Sequence, residues 1–176
     1  GVTKDPTLVI SGTAEGLSTV EVFRDGTSLG TGMANGAGTW ALDDSGTTLA
    51  PGVYAFTAQA TDAAGNASVL SSSFVVTVDT AAPNAPVVTG ITDDTDTPGD
   101  GITRDATLVI HGTAEANSRV GVFRDGASIG TTAADGAGNW SFDHTATALP
   151  PGSFEFTATA TDLAGNASAV SSPFAV

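Results

Sequence analysis

Val53–Thr61 reads VYAFTAQAT, and one hundred residues on, Ser153–Thr161 reads SFEFTATAT. In both, Phe56/Phe156, Ala58/Ala158 and Ala60/Ala160 fall on every second position. That period belongs to a strand with one face buried, not to a helix. Working outward, Gly1–Val76 lies over Gly101–Val176 without a gap, and 46 of the 76 aligned pairs are identical. A period of 100 residues is a whole domain rather than a solenoid unit of 20 to 50. Near-copies in series serve length, spacing or multivalency more readily than they supply one site of unique residues. The expected domains are 1–78, lacking its leading strand, and 79–176, with 79–86 as linker. Gly1 falls in mid-repeat without a counterpart of Asp79–Asp100, so the sequence reads as a stretch cut from a longer array.

No long window has helical periodicity, and strand signals recur every 8–15 residues between Gly, Asn and Asp. The expected fold class is all-β, two tandem immunoglobulin-like Greek-key sandwiches arranged end to end. The expected strands of the first unit are Thr7–Ser11, Thr19–Phe23, Ser28–Ala34, Thr39–Asp43, Val53–Thr61 and Val69–Val78. Arg24-Asp25-Gly26 is a tight turn, and Asn35-Gly36-Ala37-Gly38 is read as the turn of a hairpin joining Ser28–Ala34 to Thr39–Asp43. The second unit repeats this order and adds Pro86–Thr92 in front. This strand order places Gly12–Ser18, Asn35–Thr39 and Asp62–Ser68 at one pole. Asp93–Asp105, Arg124–Gly126 and Leu149–Gly152 lie at the opposite pole of the second unit. Trp40 and Trp140 are expected in the core, the alternative being an exposed platform for sugars. The linker carries Pro83 and Pro86 and is semi-rigid.

Nineteen acidic residues stand against five basic ones, a net charge of −14. Such a surface repels nucleic acid and anionic membrane. It suits divalent cations, and solubility explains it equally well. No cysteine is present, which removes disulfides, thiol catalysis and Cys-based zinc. No run of 18 apolar residues exists to span a membrane as a helix, and no signal-peptide pattern is visible. His111 and His144 face Ser11 and Asp44 in the other copy, so they read as incidental surface positions. No Gly-x-Ser-x-Gly elbow sits with a plausible His and Asp, and Gly36-Ala37-Gly38 has no helix behind it to make a phosphate loop. Asn66-Ala67-Ser68 and its copy match a glycosylation sequon, meaningful only in a eukaryotic secretory setting.

Five acidic residues fall in Asp79–Asp100, most densely in Asp93-Asp94-Thr95-Asp96-Thr97-Pro98-Gly99-Asp100-Gly101. Ca²⁺ takes six to eight oxygens, and alternate Asp residues around a glycine bend supply them. Counted from Asp94, Asp96 stands at position 3, Gly99 at 6, Asp100 at 7 and Asp105 at 12. Pro98 at position 5, Asp rather than Glu at 12 and the lack of flanking helices reject an EF-hand. A Ca²⁺ loop and a solvated acidic turn both remain. Glu115 and Asp162 share the pole nearest Asp79, where a cation would stiffen the joint. Asp62 and Asp162, each opening a TDxAGN turn, read equally as turn caps.

DTAAPNAP (79–86), TDDTDTPGDGITRD (92–105), TLVIHGTAE (107–115), GNWSF (138–142) and TDLAGNAS (161–168) together resemble the bacterial immunoglobulin-like repeats of large secreted RTX or biofilm-type surface adhesins. The resemblance spans nearly the whole chain. It implies a non-enzymatic stalk of end-to-end domains, secreted or at the bacterial cell surface, with Ca²⁺ at or near the junctions. Its metal ligands, carried over by position, are Asp79, Asp93, Asp94, Asp96, Asp100 and Asp162, with Asp62 matching Asp162. The implied partners are neighbouring repeats of the same chain in a monomeric rod, with ligand binding left to other domains. A carbohydrate-binding adhesive module and an accessory domain of a secreted enzyme are the alternatives.

Overall fold

The strands of Gly1–Thr80 and of Ala81–Val176 pack into two separate units. The computed structural model describes residues 1–95 and 97–176. The first unit holds β1 (Val2–Thr3), β2 (Val9–Thr13), β3 (Thr19–Arg24), β4 (Thr27–Met33), β5 (Thr39–Asp43), β6 (Gly52–Thr61) and β7 (Phe74–Val78). The second holds β8 (Val87–Ile91), β9 (Val109–Thr113), β10 (Arg119–Arg124), β11 (Ala127–Ala133), β12 (Asn139–Asp143), β13 (Glu155–Thr161) and β14 (Phe174–Ala175). Each unit is a sandwich of two sheets: β1-β7-β6-β3-β4 over β2-β5, and β11-β10-β13-β14 over β12-β9-β8. The all-β immunoglobulin-like expectation is met, and the alternating stretch at 53–61 forms a central strand with its phenylalanine buried.

One turn is dictated locally. Asp25 and Gly26 both have positive φ, at 51° and 80°. That pair matches the twist of the flanking strands and favours Asp-Gly. Asp25 Oδ1 also accepts the Ala55 N–H at 2.9 Å, tying the turn to β6, and Asp125 does the same for Glu155 at 2.9 Å.

Two strand expectations are corrected. Ser28–Ala34 and Thr39–Asp43 do not form a hairpin. β4 pairs with β3 and β5 with β2, so the Asn35–Gly38 loop carries the chain from one sheet to the other. Asn35 Oδ1 closes that loop by accepting the N–H groups of Ala37 and Thr39. The last strand begins at Phe74, not Val69. Before it, the chain is bonded to β6 through serine side chains. Ser68 N–H donates to the Ala60 carbonyl at 2.8 Å while the Ala60 N–H donates to Ser68 Oγ at 3.1 Å, and Ser71 treats Ala58 in the same way. Ser168 and Ser171 repeat this against Ala160 and Ala158. A hydroxyl there satisfies a backbone donor that a ladder carbonyl would otherwise take.

The core of the second unit is one cluster. Val88 and Ile91 of β8 pack with Leu108, Ile110, Trp140 and Phe156. The first unit has no counterpart of β8 among the described residues, and its core divides into one cluster around Val20, Val22 and Trp40 and another around Leu49, Phe56 and Val78. Leu8, Ile10, Ala58 and Ala60 are only half-buried, whereas Leu108, Ile110, Ala158 and Ala160 are fully buried. Both tryptophans lie in the core, as expected, with neither indole N–H hydrogen-bonded.

The acidic turns and a candidate cation site

Many of the aspartates act as turn caps. Asp62 Oδ1 accepts the N–H groups of Ala64 at 2.9 Å and Asn66 at 2.8 Å, and its Oδ2 accepts the Asn66 side-chain amide at 2.8 Å. The Asn66 side chain, then its backbone N–H, holds the Asp62 carboxyl below the ordinary carboxylate range. Asp162 is bound by Asn166 in the same way. Burial would raise the Asp162 carboxyl, but the Asn166 side chain and backbone amides outweigh it and leave it lowered. The hydroxyls of Thr7, Ser45 and Thr145, then their backbone N–H groups, hold Asp5, Asp43 and Asp143 low, and backbone N–H groups first of all hold Asp105 and Asp135 low. Sequence reading found the turn role of Asp62 and Asp162 and missed it in these five. The signal was present in D-x-T at 5–7 and 105–107 and in D-x-[ST] at 43–45 and 143–145.

The pole assignment holds within each unit. The Ala14 N–H donates to the Gly38 carbonyl at 2.8 Å, and Glu15, Trp40, Asp62 and Asn66 line one groove. At the opposite pole of the second unit, Gly101–Asp105 and Pro150–Phe154 line another. The proposed metal ligands are scattered over these features. Asp79 donates its N–H to the Thr3 carbonyl at 2.8 Å. The Glu115 carbonyl accepts the Ser118 N–H at 3.1 Å. Asp93 sits at φ 57° and its carbonyl accepts the Thr103 hydroxyl at 2.7 Å. Asp100 Oδ1 accepts the Ile102 N–H at 2.8 Å. Asp96 lies outside the described residues. Among those described, no three His, Cys, Asp or Glu side chains gather around one point as a metal site.

Chemistry sorts these oxygens further. Asp62 and Asp162 already face N–H donors, whose hydrogens occupy the directions a cation would need. Asp94 differs. Its Oδ2 accepts the Gly99 N–H at 2.6 Å and the Gly101 N–H at 3.4 Å, while its Oδ1 is buried without a partner among the described residues. A buried carboxylate oxygen with no donor is costly, and a cation would satisfy it. Asp94 therefore fits a Ca²⁺ ligand, whereas Asp62 and Asp162 fit turn caps.

A bacterial Ig-like domain model matches residues 1–80 and again 83–176. The chain belongs to the bacterial Ig-like domain family. Among solved structures, the fibronectin(III)-like modules of Clostridium thermocellum CbhA align over 99% of this chain and 85% of theirs, with 20% identity and a TM-score of 0.54. This is a likeness of fold. A tetra-tandem repeat from the extending region of a large adhesion protein aligns over 97% of this chain and 46% of its own, with 24% identity and a TM-score of 0.40. A Ca²⁺-stabilized adhesin with which an Antarctic bacterium binds ice aligns over 97% and 44%, with 27% identity and a TM-score of 0.42. The chain spans less than half the length of those last two. No curated protein matches it in sequence.

The two Ig-like domains differ at one buried contact, and this corrects the reading of His144 as a surface residue. In the first, Arg24 pairs with Asp44 at 2.8 Å. In the second, the same place holds His144, only 9% exposed, with Arg124 Nη1 at 3.2 Å from Nε2 and the Phe142 ring stacked 6.2 Å away. Burial first, then the Arg124 guanidinium, pushes the His144 imidazole below its ordinary 6.5, while Asp143 pulls the other way. Unfolded chain takes up this proton through the ordinary value and folded chain only further down. Stability of the second domain therefore falls as pH drops through 6.5. His144→Asp, which restores the pairing of the first domain, should flatten the melting temperature of the second domain between pH 7.5 and 5. An unchanged pH slope in that variant would rule out His144 as its cause.

Proposed function

We propose that this chain is a structural extender module of a bacterial cell-surface adhesin. It would lie outside the cell and space a distal adhesion domain from the surface. Ca²⁺ bound at the acidic residues around the linker would stiffen it. The observation that carries this reading is the gap-free repeat of one Ig-like domain with acidic residues concentrated between Asp79 and Asp105. Two near-copies add length without adding a second kind of site. Asp94, with its unpartnered buried oxygen, is the residue best suited to begin a Ca²⁺ shell; further oxygens would come from its neighbours in the loop. Burial of Trp40 and Trp140 weighs against an exposed tryptophan platform for sugars.

Small-angle scattering and thermal melting in chelator and in millimolar Ca²⁺ test this reading. The expected result is a longer, more rigid particle and a higher melting temperature with Ca²⁺, by RT ln(1 + [L]/Kd) of stabilisation. Asp94→Asn should remove most of that gain. Identical scattering and melting in both conditions would end the calcium part of the proposal, and the extender part would then rest on repeat number in the parent protein.

A further inference from the structure

Of the six asparagines, Asn35 alone is followed by glycine; the others precede Ala, Ser or Trp. Asn35-Gly36 sits in the exposed loop between β4 and β5. A backbone nitrogen can close a five-membered ring on the carboxamide carbon of the asparagine before it. Glycine, with no Cβ, hinders that approach least. The Gly36 N–H is bonded to no acceptor among the described residues, which leaves this nitrogen free to react.

The loop also activates the carboxamide. Asn35 Oδ1 accepts two backbone N–H groups, from Ala37 at 2.9 Å and from Thr39 at 3.1 Å. Asn35 Nδ2 donates to the Thr39 hydroxyl at 2.6 Å. Negative charge gathers on Oδ1 when Cγ is attacked, and two fixed N–H donors stabilise such an oxyanion. The nitrogen that must leave lies against a hydroxyl able to pass it a proton.

The second domain shows that a carboxylate suits this loop. Asp135-Gly136 holds the same place, and Asp135 Oδ1 accepts the Ala137 and Asn139 N–H groups, both at 2.9 Å. The backbone closes alike in the two copies. The Asn35 N–H reaches the Thr39 carbonyl at 2.9 Å as the Asp135 N–H reaches that of Asn139 at 2.8 Å. The Asn35 carbonyl accepts the Gly38 N–H at 2.8 Å as the Asp135 carbonyl accepts the Gly138 N–H at 2.9 Å. Gly38 and Gly138 share positive φ, 82° and 84°. A carboxylate takes these N–H groups more strongly than a neutral amide does.

We propose that Asn35 is a site of spontaneous deamidation, which converts the loop of the first domain into that of the second. The Gly36 nitrogen bonds to Asn35 Cγ, the Cγ–Nδ2 bond breaks, and ammonia leaves with the proton that Gly36 gave up. Water then opens the ring, and its oxygen enters the new carboxylate. Opening at Cγ gives aspartate in the original backbone. Opening at the main-chain carbonyl gives isoaspartate, whose lengthened backbone displaces the carbonyl that Gly38 needs. No metal, oxidant or second enzyme takes part. The aspartate product adds a negative charge and keeps the fold. This reading goes beyond the extender role and does not depend on Ca²⁺.

The test holds the whole 176-residue chain in mildly alkaline heavy-oxygen water and maps its peptides by mass over weeks. The expected result is conversion at Asn35 ahead of the other asparagines, seen as loss of ammonia and uptake of heavy oxygen. Gly36→Ala should slow it roughly tenfold or more by crowding the attacking nitrogen. That variant keeps the loop, since a Cβ on Gly36 meets nothing within 4 Å. Thr39→Val should slow it severalfold by removing the hydroxyl at the leaving nitrogen. Asn35→Asp should melt no lower than the parent chain in its first domain. An intact Asn35 after a free peptide of residues 33–39 has fully converted would overturn the proposal, because the loop would then be protecting the amide. So would equal conversion at all the asparagines, an unchanged rate in either slowing variant, or a first domain destabilised by Asn35→Asp.

Discussion

Gly112→Ala should unfold the second domain or lower its stability by roughly 3 kcal/mol or more, toward the upper end of overpacking costs. Gly112 lies opposite Val88 of β8. A Cβ there would land on the Val87 carbonyl oxygen and within 2.6 Å of the Trp140 ring. The carbonyl belongs to a paired strand and the indole to the core, so neither can move without breaking a ladder bond or opening a cavity. The first domain is the internal control. The three atoms nearest to a Cβ at Gly12 all belong to the Trp40 ring, the first at 2.8 Å, and no backbone atom is among them. Gly12→Ala should cost roughly 1–2 kcal/mol. Circular dichroism melts of both variants, with the two transitions assigned by amide exchange, give the comparison. Equal losses in the two domains would show that the Val87 contact is not what makes Gly112 necessary.

Phe156→Ala should cost roughly 3–5 kcal/mol, the range for deleting a buried aromatic ring. Phe156 is wholly buried, in a core with Leu108, Ile110, Val122 and the β8 side chains packed around it. A cavity there is closed on all sides and cannot fill with water without stranding it among apolar groups. For a domain of this size the loss lowers the melting temperature by roughly 12 °C or more. The same change at Phe56 should cost less. Phe56 is also buried, but it lines the open groove beside β2, so water can enter the space and the neighbours can settle into it. If Phe56→Ala proves as damaging as Phe156→Ala, the groove of the first domain is closed in solution.

Much of this was legible in local patterns. The alternation of Phe156, Ala158 and Ala160 names the inward face of β13, and Asp25-Gly26 names the turn between β3 and β4, because period and positive φ are properties of a few adjacent residues. Trp40 and Trp140 were placed in the core because each copy has one at the same strand position. The candidate site was legible in less detail. The acidic loop at 93–105 stood out, but its composition could not separate Asp94, with an unsatisfied buried oxygen, from Asp100, which caps its own turn. Asp62 read as both cap and ligand, and the Asn66 amide on Oδ2 favours the cap. His144 looked incidental because its counterpart is Asp44. Its burial follows from the position of Arg124 twenty residues earlier, on a strand whose partners are not local.

Sequence alone determined the two-domain repeat, the strand faces and the turns, since each depends on side chains within one short segment. Tertiary structure decided which strand pairs with which. The Asn35–Gly38 loop looks like a hairpin turn in isolation, and β5 nevertheless joins β2 in the other sheet, from which Trp40 and Leu42 pack into the core. It also decided that two segments sharing 46 of 76 residues do not bury the same groups. A single strand, β8, lies over one copy and not the other, and burial depends on what covers a residue as well as on the residue itself.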